Sequence, residues 1–237
     1  MTRVPAPFGW TSAPARVRVK VCGVTRPQDA VAVEAAGADA LGVIFAAGSR
    51  RRVDRAQAAE VLAPLGPFIA RVGVFVSPTP DELWAAIDAL RLHAVQLHGD
   101  LAGGDDAGWR ALRARVAVIR AVAWSPTLDL EALTRSPGDA LLIDGPRAGS
   151  GRPFDWDGAH GLRRLSNWVL AGGLEPGNVA RAISRLAPPA VDVASGVESR
   201  PGVKDPARLA AFMAAVRNAE AGRDRGRGLG DAAGDAV

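Results

Sequence analysis

The chain has 237 residues, 48% of them hydrophobic, a formal net charge of +4 and a single cysteine. That is enough apolar sequence for a full core, and the length suits one large α/β domain. No run of 18 apolar residues offers a membrane span, no charged-then-apolar leader offers a secretion signal, and one thiol excludes an internal disulfide and a cysteine-based zinc site. A cytoplasmic protein is expected.

The positive charge is almost all arginine: of 29 cationic residues only Lys20 and Lys204 are lysines. With 5% aromatic residues and no tyrosine there is no stripe of cations and stacking rings, so a nucleic-acid partner is not expected.

Residues 1–16 are rich in proline and small residues and read as a flexible leader. The first β-branched run, Val17–Val21, ends at Cys22 and turns through Gly23 toward "TRPQ" (25–28). Further runs end near Phe45, Val76, Leu97, Val122, Asp144, Leu170 and Ala194, at intervals of one strand plus one helix. "TRPQ", "DRAQ" (54–57) and "TPDE" (79–82) have the capping-box spacing, a cap residue with Gln or Glu three later. Pro80, Pro176 and Pro206 follow cap-type residues, where a missing N–H costs nothing. Behind Pro80, Leu83, Ile87 and Leu90 recur at helical spacing, as do Val179, Ile183 and Leu186 behind Pro176. The Gly-rich interval after Leu97 is the weakest helix. Residues 220–237, rich in glycine and charge, read as a disordered tail.

Eight strands alternating with about eight helices over 17–219 close naturally into a single (β/α)8 TIM barrel. An open doubly wound sheet is the alternative, but its Gly-rich turn after the first strand is missing.

In a barrel the active site lies at the C-terminal ends of the strands. The polar residues there are Cys22, Arg51, Gln96, His98, Asp144, the "AGGL" loop and Asp192 with "SGVE". The loops after strands seven and eight carry Gly172, Gly173, Ser195 and Gly196, where bare backbone and a hydroxyl suit a phosphate. Cys22 and Asp144 stand on different sides of the barrel. A thiolate is a competent base and a carboxyl a competent acid, against the plainer readings of a small buried hydrophobe and a loop cap. Any one of Arg50, Arg51 and Arg52 in "GSRRRV" turned inward would bind a carboxylate through two hydrogen bonds. Gln96 and His98 are either hydrogen-bonding neighbours of a substrate or satisfied polar groups. His93 and His160 read as structural, and the three histidines lack ligand spacing, so no metal is expected.

"VKVCGVT", "GVFV", "VQLHGD", "LLIDG" with "GSGRPFDW", "LAGGLEPGNV" and "VDVASGVESRPGVKD" together resemble the phosphoribosylanthranilate isomerase family, motif by motif and in order. The resemblance implies a (β/α)8 barrel of tryptophan biosynthesis that rearranges N-(5-phosphoribosyl)anthranilate to 1-(2-carboxyphenylamino)-1-deoxyribulose 5-phosphate without a cofactor. It implies Asp144 as general acid at the ring oxygen and Cys22 as general base at the sugar C2. Arg51 would pair with the anthranilate carboxylate, Asp192 would lie near the ribose, and Gly173, Ser195 and Gly196 would sit on the phosphate. The expected partner is then a small phosphoribosyl compound, and the protein a monomer or homodimer. Two other classes stay open: a different phosphosugar barrel, either an epimerase, which would want metal ligands across the strands, or a histidine-pathway isomerase, which would have an Asp where Cys22 stands, and a phosphate-binding barrel without catalysis.

Overall fold

The eight β-branched runs all become strands of one closed parallel barrel in the order β1 to β8. These are β1 (Arg18–Cys22), β2 (Ala40–Ile44), β3 (Ala70–Val76), β4 (Ala94–His98), β5 (Ala117–Ala123), β6 (Ala140–Asp144), β7 (Trp168–Leu170) and β8 (Ala190–Val193). The computed structural model describes residues 16–99, 106–134, 138–145 and 154–231; the leader before residue 16 and the "GSGRP" of the "GSGRPFDW" motif lie outside them. Each predicted strand end falls within one residue of the observed one, because strand length here is set by the apolar run itself.

The pleat divides the core in two. Val19, Val21, Leu41 and Val43 point outward and pack against the helices, whereas Ala40, Ala70, Ala94, Ala117, Ala140 and Ala190 fill the barrel's inside. Lys20, Gln96 and Asp192 are buried as well. Alanine recurs on six strands because a narrow barrel has little room for larger groups.

The connecting helices are α1 (Pro27–Ala35), α2 (Arg55–Leu62), α3 (Pro80–Leu90), α4 (Asp106–Arg115), α5 (Leu130–Thr134), α6 (Val179–Leu186) and α7 (Pro206–Asp231). Between β6 and β7 a 3-10 turn, His160–Arg164, takes the helix's place among the described residues. The boxes at Asp54–Gln57 and Thr79–Glu82 form with both reciprocal hydrogen bonds.

Two sequence expectations need correction. Thr25 does not cap α1; its hydroxyl donates to the Gly202 carbonyl at 2.6 Å, and the uncapped Arg26 precedes the helix. Pro176 lies in a turn before α6 rather than in its first turn, since the amides of Asn178 and Val179 both reach back to the Glu175 carbonyl. The α7 helix runs to Asp231, and the Glu220 carboxylate accepts from the Val17 amide.

One element was not anticipated: a hairpin of β9 (Glu198–Arg200) and β10 (Val203–Lys204) following the 3-10 turn Ser195–Val197. No helix among the described residues is long and apolar enough to cross a membrane.

Candidate active site

Cys22 ends β1 and is 5% exposed. Across from it Gly42 has no side chain, and a Cβ there would come within 3.0 Å of the Cys22 Sγ and 3.3 Å of the Lys20 Nζ. The missing methyl is what lets thiol and ammonium meet. Lys20 also donates to the Asp192 Oδ1 at 2.9 Å, across the β1–β8 seam where the two residues are register partners. Burial pushes the thiol above its ordinary value of 9.0; Lys20 pulls it back, and Asp192 opposes Lys20. Burial pulls the Lys20 ammonium down, but Asp192 and Cys22 outweigh this and leave it raised.

Gln96 and His98 project from β4 into the same cluster. The Gln96 amide nitrogen lies 3.0 Å from the His98 Nε2. An amide NH₂ can only donate, so that ring nitrogen accepts and His98 is neutral. Burial and the Lys20 charge lower the imidazole accordingly. The Gln96 Oε1 is buried without a partner.

Arg51 is the one arginine of the three that turns inward; Arg50 and Arg52 are exposed. Its Nε and Nη2 donate to the two Glu198 oxygens at 2.9 and 2.8 Å, a bidentate pair with 12% and 4% of the side chains exposed. The Nη1 edge donates to nothing among the described residues. Gly23, at φ +71°, admits this arm: a Cβ there would meet the Arg51 Cδ at 2.4 Å.

β7 and β8 stand between β6 and β1, so their loops lie between Asp144 and Cys22 on one side of the barrel. Asp144 closes β6, and its Oδ1 accepts from the Gly145 amide at 2.7 Å. Gly172 (φ +87°) and Gly173 (φ +65°) follow β7, and their amides donate to no carbonyl among the described residues. A Cβ on Gly172 would lie 2.9 Å from the Asp144 Oδ1. A Cβ on Gly196 would lie 2.0 Å from the Leu174 carbonyl oxygen, so the two loops interlock backbone against backbone. Ser195 stands exposed at the start of the 3-10 turn. Asn178 secures the first loop, donating to the Gly173 carbonyl at 2.8 Å and accepting from the Glu175 amide.

All ten sequence-selected residues therefore lie at or beside the C-terminal strand ends, with Lys20, Cys22, Gln96, His98 and Asp192 drawn into one cluster. Sequence inspection placed Glu198 at the mouth within "SGVE" without giving it a role, and missed Lys20 and Lys204. Lys20 had a signal, an isolated lysine inside a strand at the same parity as Cys22. Among the described residues no group of His, Cys, Asp and Glu is arranged to hold a metal. What the arrangement offers is a thiol and a carboxyl flanking the loops after β7 and β8, with a guanidinium beside the thiol that keeps one edge unbonded among the described residues.

The profile of the N-(5'phosphoribosyl)anthranilate (PRA) isomerase family matches residues 19–215. The N-(5'-phosphoribosyl)anthranilate isomerase of Deinococcus radiodurans is 43% identical over 206 residues, covering 85% of this chain and 97% of its own. That of Pseudomonas fluorescens is 44% identical over 209 residues, covering 85% and 96%. Among solved structures, phosphoribosyl anthranilate isomerase from Thermus thermophilus superposes with a TM-score of 0.78 at 39% identity over 85% of this chain and 99% of that one. A phosphoribosyl anthranilate isomerase in complex with reduced 1-(o-carboxyphenylamino)-1-deoxyribulose 5-phosphate gives a TM-score of 0.75 at 38% identity, with the same coverage.

Proposed function

The chain belongs to the N-(5'-phosphoribosyl)anthranilate isomerase family, and from that premise we propose that it converts N-(5'-phosphoribosyl)anthranilate to 1-(2-carboxyphenylamino)-1-deoxyribulose 5-phosphate in tryptophan biosynthesis, with Asp144 as general acid and Cys22 as general base. The observation that carries the assignment of roles is positional: thiol and carboxyl end strands separated by β7 and β8, and after β7 the Gly172 and Gly173 amides donate to no carbonyl among the described residues.

The chemistry divides between two groups in opposite protonation states. Asp144, protonated, gives its proton to the furanose oxygen as the C1–O bond breaks, and the ring opens to a Schiff base. Cys22, as thiolate, removes the proton from C2; the electron pair moves into the C1–C2 bond and the resulting enolamine tautomerises to the ketone. No atom is gained or lost, and no cofactor is required. The Gly172, Gly173, Ser195 and Gly196 loops hold the phosphate, the open edge of Arg51 holds the anthranilate carboxylate, and Asp192, Gln96 and His98 face the ribose. The unpartnered Gln96 Oε1 is a ready acceptor for a sugar hydroxyl. Because burial raises the thiol, the thiolate is the minor form in the free protein. Lys20, beside the sulfur, stabilises it when it forms.

The test is the loss of anthranilate-type fluorescence when freshly made phosphoribosylanthranilate meets the protein. Fast decay is expected for the parent, slowed by about 10²–10⁴ in Cys22→Ser and Asp144→Asn, the usual range for an acid or base. No decay above the uncatalysed rate from a folded parent overturns the assignment in favour of a phosphate-binding barrel.

A further inference from the structure

A chain that writes its surface cations as arginine keeps two lysines, and both are buried beside Cys22. Lys20 has its account in the thiol. Lys204, at the end of β10, is 3% exposed, and its ammonium donates to the Cys22 carbonyl at 2.7 Å, the Ala194 carbonyl at 3.1 Å and the Glu198 Oε1 at 2.9 Å. Three acceptors around one nitrogen suit an ammonium with three donors, not a planar guanidinium. Glu198 in turn holds Arg51 through both oxygens. The hairpin that delivers the pair is stitched to the turn after β1 and to α1: Thr25 donates to the Gly202 carbonyl, and the Lys204 amide donates to the Asp29 Oδ2 at 3.0 Å.

The balance of charge decides what this cluster can do. Arg51 and Glu198 alone would be a neutral pair with little attraction for an anion. Lys204 adds one cation, so the buried triad of Arg51, Glu198 and Lys204 carries a net single positive charge. The triad's unbonded edge among the described residues is the Nη1 of Arg51, on a side chain packed against Gly23 beside Cys22. We propose that Glu198 and Lys204 are positioning residues that aim Arg51 and keep its site net cationic, so that a substrate carboxylate is attracted to a guanidinium already held in place. The proposal rests on the assignment of Arg51 to that carboxylate. Burial opposes the charge on both partners: Glu198 is nevertheless held below its ordinary value by Arg51 and Lys204, while Lys204 sits below its own.

The test compares alkylation of Cys22 by anionic iodoacetate and neutral iodoacetamide, whose rate ratio reports the local potential at the mouth whether or not the protein is an isomerase. Lys204→Met is expected to lower the ratio about fivefold and Glu198→Gln to raise it by a similar factor, as one nearby half-screened charge would. The double variant restores the net charge and is expected to return within about twofold of the parent. For the substrate, Lys204→Met raises KM about tenfold, through a weakened charge-assisted contact between Arg51 and the carboxylate, with a smaller change in kcat. Loosening of the hairpin without a role for charge would move both single variants the same way and the double variant further, and that result overturns the proposal. If Lys204→Met does not fold, Glu198→Gln and the double variant carry the same comparison. A parent that alkylates as expected but shows no turnover sinks the isomerase assignment and leaves the charged triad standing.

Discussion

At the scale of single residues the site is governed by charges placed where water is scarce. The Cys22 thiol, raised by burial, has Lys20 on one side and Asp192 beyond it, so each neighbour should move its titration in a known direction. Removing the cation in Lys20→Met should raise the pH at which Cys22 alkylates by about one unit, and removing the anion in Asp192→Asn should lower it by a similar amount. The rate of iodoacetamide modification against pH measures both, and equal shifts of one sign would contradict the charge assignment. The same raised thiol links to stability. In the unfolded chain it ionises near 9.0, whereas the native state keeps its proton to higher pH. The contribution is therefore complete below the unfolded value and lost as pH rises toward the native one, by up to about 1.4 kcal/mol per pH unit. Cys22→Ala should flatten the alkaline fall of the urea midpoint. That a thiol stands at a strand end is legible in "VKVCGVT". Its dependence on Lys20, Asp192 and Gly42 is not, because parity along a strand gives the face a residue shares but not which strand supplies its partner.

At the scale of elements, what was local proved readable and what was long-range did not. Asp54 with Gln57 and Thr79 with Glu82 complete their boxes within four residues, so spacing sufficed to find them. Thr79→Ala should cost about 1 kcal/mol of stability and leave turnover unchanged, measured by urea unfolding and initial rate. Thr25 shows the same spacing, yet its hydroxyl serves Gly202, 177 residues away. The partners of Glu198 and the burial of Lys204 were hidden for a related reason: only the folded hairpin turns these charges inward onto Arg51 and Cys22. The glycine loops after β7 and β8 sit between these cases. Their presence is visible in "LAGGLEP" and "ASGVES", but their contact with each other is not. Gly196→Ala places a methyl 2.0 Å from the Leu174 oxygen, and neither backbone can yield without moving its loop. A loss of about 2–3 kcal/mol is expected, within the usual range for overpacking, together with weakened inhibition by phosphate-bearing analogues. Retained affinity for those analogues would show that the loops do not hold the phosphate.

At the scale of the whole molecule the barrel closes only when the last strand meets the first, β8 against β1 from Arg18↔Ala190 to Val21↔Val193. The chain beyond β8 is nevertheless no appendage. α7 lays Leu209, Phe212, Met213 and Val216, all buried, over the outer face of the barrel beside α6 and the 3-10 turn after β8. Burying four such side chains contributes about 1.5–3 kcal/mol each, comparable in sum to the entire stability of a domain. Beyond Ala219 and Glu220 the helix adds no buried side chain among the described residues. The two facts place the functional end of the barrel inside α7 and predict a sharp contrast. A chain ending at residue 222 should keep its thermal midpoint within about 2 °C of the parent, since it retains every side chain of α7 described as buried or half-buried. A chain ending at 205 should fail to fold, exposing the faces that α7 covers and leaving the hairpin of Glu198 and Lys204 without support. Thermal unfolding of the two truncations separates the outcomes. A stable, active chain ending at 205 would mean that barrel closure by β8 suffices without α7. A large loss on stopping at 222 would assign stability to the chain beyond that residue.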